Sequence, residues 1–119
     1  MFGRSRIVTM VSAAVLIGLS LGLSAQAQTV TLGQFQHPTA AKDLDTNKTY
    51  LRGATDGLVA YNRSLEDKLF CVPGRIPVVT FEQASNIVMR WARKTSGSSD
   101  ISLGSALLFA LRDAYPCPR

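Results

Sequence analysis

Histidine occurs once, at His37, and cysteine twice, at Cys71 and Cys117, in a chain of 119 residues. A metal centre needs several His, Cys or carboxylate ligands at set spacings, and no such spacing is present. No glycine-rich phosphate loop appears. His37 lies beside Pro38 in a segment without a clear period, and it reads as a solvated side chain. Asp43 and Asp45 precede a helix and read as solvated or capping groups, not as an acid/base pair. The cysteines are far apart, with no C-x-x-C arrangement for redox work. Together these absences predict a protein that is not an enzyme and uses no cofactor. There are no internal repeats and no low-complexity tracts. A clustered basic stripe is missing as well, which argues against a nucleic-acid binder.

The N-terminus is a different kind of sequence. Arg4 and Arg6 form a short basic region, and Ile7 to Leu23 follows without a charge. Ala25-Gln26-Ala27 then offers small residues at both positions that a signal peptidase reads. A membrane anchor needs roughly 20 apolar residues. This core is shorter and is broken by Gly18, Ser20 and Gly22. Residues 1–27 are therefore expected to be a cleaved signal peptide, which places the mature chain in the periplasm with no remaining membrane segment. Loss of Arg4 and Arg6 lowers the formal net charge from +5 to +3.

An exported chain with two cysteines is expected to join them. A Cys71–Cys117 bridge closes a loop for which chain entropy predicts roughly 4 kcal/mol. That is a large share of the roughly 5–15 kcal/mol typical of a whole domain. Two free thiols are the other reading of the same pair.

Residues 28–45 show no clear helical or strand period and are expected to form an extended N-terminal arm, the second half of which could form a short helical turn, leaving 46–119 as the folded domain. A first helix is predicted from about Asn47 to Asp67, with Tyr50, Ala54, Leu58, Tyr61 and Leu65 on one face. Gly53 and Gly57 sit four apart beside that face, and close approach of another helix would offset their cost of about 1 kcal/mol each; the other reading is that they break the helix into two pieces. Pro73, Gly74 and Pro77 make Leu69 to Val79 a connector. Thr80 followed by Gln83 is a capping-box signal for a second helix, whose apolar stripe is Phe81, Ala84, Ile87, Val88 and Trp91. A third helix is predicted over about Ile101 to Ala114, with Asp100 as its cap and Pro116 as its stop. Leu103, Leu107, Leu111 and Ala114 form its stripe, and Leu108 and Phe109 widen it, so the helix is expected to be central in the domain or covered by a second chain. The fold class is all-α: a small disulfide-bonded bundle of three to four helices.

Candidate binding residues lie on two helices. Arg90, Arg93 and Lys94 cluster near the end of the second helix, where they match its dipole and also offer a docking surface to an acidic partner. Arg52, Arg63 and Lys68 add positive charge along the first helix. Tyr61, Asn62 and Arg63 are types that interfaces favour. Asn47-Lys48-Thr49 and Asn62-Arg63-Ser64 also fit the short glycosylation pattern.

The order of motifs resembles a known family. Tyr50-Leu51-Arg52-Gly53 runs through Gly57 to Tyr61; Phe70-Cys71-Val72-Pro73 and Val79-Thr80-Phe81-Glu82-Gln83 follow. The chain closes on Ala110-Leu111-Arg112-Asp113-Ala114-Tyr115-Pro116-Cys117. This frame is similar to the Tai-type immunity proteins of type VI secretion, which protect bacteria from peptidoglycan amidase toxins. The resemblance implies a periplasmic helical protein that binds a cognate amidase and blocks its active site by occlusion, and that often forms a homodimer. The matching positions, Gly53, Gly57, Cys71, Pro73, Thr80, Ala110, Leu111, Pro116 and Cys117, build the scaffold, so the resemblance places no toxin contact on a numbered residue. The alternative is a structural or chaperone-like periplasmic protein without a toxin partner. One histidine and eight carboxylates give a pH-triggered chaperone few groups to titrate.

Overall fold

The computed structural model describes residues 29–96 and 99–119. Within them are four helices: α1 (Leu32–Gln36), α2 (Ala41–Ser64), α3 (Phe81–Thr95) and α4 (Leu103–Ala114). No strand occurs among the described residues; an isolated bridge joins Thr31 to Ser102. The expected signal peptide lies outside them.

α3 and α4 form the most extensive helix pair. Ala84, Ile87, Val88 and Ala92 of α3 are buried, as are Leu103, Ala106, Leu107, Ala110 and Leu111 of α4. Each fully buried leucine contributes on the order of 1.5–3 kcal/mol. The capping box at the start of α3 forms as its sequence predicts. The Gln83 amide N–H donates to the Thr80 hydroxyl at 3.2 Å, and the Thr80 N–H donates to the Gln83 side chain at 2.9 Å. The connector after α2 has no helix or strand, also as predicted, and its ends are anchored by buried Phe70 and Val79.

Three expectations about local structure are corrected. The N-terminal segment is not an extended arm. Thr31 and Gln34 make a second capping box that starts α1, and Val30 and Leu32 are buried in the core. The main chain fixes this segment to the turn before α4: Leu32 N–H donates to Ile101 at 2.8 Å, Gly33 N–H to Ser99 at 3.0 Å, and Leu103 N–H to Val30 at 2.7 Å. A Cβ on Gly33 would stand 3.0 Å from the Ser99 Cβ, so a larger residue there would have to push Ser99 aside.

The second correction is the start of α2, which lies at Ala41, so the expected boundary at residue 46 falls inside a helix. Asp43 reaches back to the Ala40 N–H at 3.0 Å and accepts from the Thr39 hydroxyl at 2.8 Å. The Thr39 bond holds the Asp43 carboxyl below its ordinary range, partly opposed by desolvation. The third correction is the cap of α4. Ser102, not Asp100, fills it, accepting from the Ser105 N–H at 3.1 Å.

Candidate functional site

Cys71 and Cys117 are bonded, with their Cα atoms 4.9 Å apart. The Cys71 N–H also donates to the Tyr115 carbonyl at 2.8 Å. The exit of α2 is thereby tied twice to the exit of α4. This anchors the connector at its start while Ile76 and Val78 stay 74% and 61% exposed. A shallow cleft beside it is lined by Val59, Arg63, Phe70, Val72 and Pro77.

The residues singled out near the end of α2 do not act together. Tyr61 is exposed, and the Arg63 side chain is exposed beside the cleft. Asn62 is turned inward and is a correction to the expected partner contacts. Its amide donates to the Phe70 carbonyl at 2.8 Å and accepts from the Leu69 N–H at 2.7 Å. A side chain holding two main-chain groups inside the fold is a clamp on the connector and is not offered to a partner. Asn47 is also buried and donates to the Gln34 carbonyl at 3.0 Å, so neither asparagine of the two glycosylation patterns presents its amide at the surface.

Several cations along α2 already have partners. Lys48 and Arg52 lie over the Phe81 ring, 5.4 and 5.7 Å from its centroid, which joins α2 to the start of α3. The Lys68 ammonium donates to the carbonyls of Arg63 and Leu65, closing the C-terminal end of α2.

The basic cluster on α3 is split. Lys94 pairs with Asp113 of α4 at 3.0 Å. Arg90 lies one turn earlier on the same edge, whereas Arg93 points away from Trp91 by helical geometry. Sequence reasoning missed the neighbouring aromatic pair. Trp91 of α3 and Phe109 of α4 stack with centroids 5.9 Å apart and planes 24° from parallel. They line an open depression together with Arg112 and Asp113. The width of the apolar stripe on α4, with Phe109 at its exposed edge, was legible; the stacking of Phe109 on Trp91 was not.

Among the described residues no group of three or more His, Cys, Asp or Glu is placed to hold a metal, and no helix is long and apolar enough to cross a membrane. His37 is exposed at the end of α1.

The fold and surface define a small disulfide-bonded helical domain that presents rigid aromatic, aliphatic and cationic side chains. The chain belongs to the family of Rap1a immunity proteins, which it matches over residues 25–117. Family membership implies a protein partner, the effector that an immunity protein acts against. No curated protein and no solved structure matches the chain.

Proposed function

We propose that this protein is exported to the periplasm and protects the cell by binding a type VI secretion effector, a peptidoglycan amidase, and covering its active-site cleft. The match to Rap1a immunity proteins over residues 25–117 carries the reading. Amidase as the target rests on the resemblance of the Cys71–Pro73 and Tyr115–Cys117 frame to the Tai-type proteins. Export is supported by the Cys71–Cys117 bridge, since disulfides persist in oxidising compartments. Inhibition by occlusion needs no chemistry from the inhibitor, only a surface that holds its shape, and the double tie between α2 and α4 supplies one. The family match favours this role over a chaperone-like one. Self-association is a separate expectation, read by sedimentation of the mature chain.

The test uses the mature chain and a purified type VI amidase effector from the same cell. A stoichiometric complex and loss of peptidoglycan cleavage on its formation are the expected results. Absence of a complex with this or any other effector overturns the immunity role. A complex with an effector of other chemistry overturns the amidase assignment alone.

A further inference from the structure

The surface that meets the effector can be assigned, on the premise that the protein is an immunity protein. We propose that the docking site is the Trp91–Phe109 shelf and that the partner presents an acidic surface to Arg90 and Arg112. Phe109 is 43% exposed although it stacks on Trp91 at 5.9 Å. The two rings stand on helices anchored in the core at Val88, Leu107 and Leu111, so the shelf is fixed before a partner arrives. A preformed surface loses little side-chain entropy on binding.

The charges around the rings select the partner. Asp113 is the carboxylate lining the depression, and it is paired with Lys94. Arg112 lines the same depression, and Arg90 lies one turn before Lys94 on that edge of α3. Neither guanidinium makes a hydrogen bond or ion pair among the described residues. The shelf is thus an aromatic floor with two unmatched positive charges, and tryptophan and arginine are enriched among residues that dominate binding energy.

A second copy of the chain does not satisfy this surface. Two-fold packing sets a patch against itself. A self-paired patch would gather four arginines, two from each copy, while Asp113 stays with Lys94. A carboxylate-rich protein surface matches both charges and gains steered association.

The connector is the competing surface. Ile76 and Val78 are more exposed than Phe109. However, Arg63 and Arg75 there alternate with Asp56, Glu66 and Asp67 in the sequence, so the charge favours no class of partner.

Titration of the purified amidase effector against wild type, Phe109→Ser, Arg112→Glu and Ile76→Ser tests the assignment, with thermal melts to confirm folding. Phe109→Ser and Arg112→Glu should each weaken binding by about tenfold or more, whereas Ile76→Ser should leave it within about twofold. Wild-type affinity should fall as salt rises. If wild type binds and Arg112→Glu, folded and exposed, binds equally well, the shelf is not the site although the immunity role stands. If wild type does not bind the amidase effector, the amidase assignment fails, and with it the partner to which the shelf is assigned. Conversion of a dimer to a monomer by Phe109→Ser would give the shelf to a second copy and overturn the proposal.

Discussion

α2 is twice as long as α4, 24 residues against 12, yet its buried residues are Asn47, Leu51, Thr55 and Asn62, whereas those of α4 are all leucine or alanine. α4 is held by apolar contact, which has no preferred direction. α2 has Leu51 in the core with half-buried Tyr50, Ala54, Leu58 and Val59 packed against it, and adds two polar side chains that grip specific main-chain atoms. Asn47 holds the end of α1, and Asn62 holds the start of the connector. Hydrogen bonds of this kind fix where a helix lies without covering it, so α2 keeps a long outward face free. Every buried side-chain nitrogen and oxygen among the described residues is satisfied, as a polar clamp of this kind requires.

The comparison can be broken from either side. The largest expected loss is at the tie between the two helices. Cys71→Ser should lower stability by about 4 kcal/mol, read as a shift in denaturant midpoint under oxidising conditions. Reduced wild type should then match the variant; a variant as stable as oxidised wild type would mean that the bridge adds nothing. Leu107→Ala, inside α4, should cost about 3 kcal/mol by loss of transfer energy and creation of a cavity. On the polar side, Asn62→Ala leaves the Phe70 carbonyl and the Leu69 N–H without their partner and should cost about 2 kcal/mol. A cost within about 0.5 kcal/mol, the range of ordinary surface changes, would remove the distinction between the helices. Asn47→Ala, which gives up the bond to Gln34, should cost about 1 kcal/mol.

The same contrast explains what was legible in the sequence. The apolar half of the fold was. The stripe from Phe81 to Trp91, the box at Thr80 and Gln83, and the prolines of the connector are local signals, and each produced the expected element. Two cysteines also leave one intramolecular pairing to consider. The polar half was not legible. Asn62 has the composition of an interface residue and shows its inward role only when the Phe70 carbonyl lies beside it. α1 was hidden because its register is fixed by residues 99–103, about seventy positions away. Its box, Thr31 and Gln34, has the same spacing as Thr80 and Gln83, so that local signal was present and unread. The start of α2 was lost because Lys42 to Asn47 carries few apolar residues to mark a face. Of the candidate binding residues, type identified the cations, but only the fold separates Lys94, paired to Asp113, from Arg90, which has no partner among the described residues, and Arg112 was not among the candidates.

The smallest effect is expected on the face that α2 leaves bare. The spacing of Gly53 and Gly57 suggests a helix packed closely over them, yet a Cβ at either position meets nothing within 4 Å. The glycines carry the entropic cost of glycine in a helix interior with no contact in this chain to offset it. Gly57→Ala should therefore stabilise the protein by up to about 1 kcal/mol, visible as a raised melting temperature. Gly53→Ala should do the same, and the pair should add because both effects are local. Effector affinity should not change, since the Trp91–Phe109 shelf belongs to α3 and α4. If alanine at these sites stabilises the chain and also weakens the complex, the open face of α2 takes part in recognition, and the division between a clamped support and a docking surface on the other helices no longer holds.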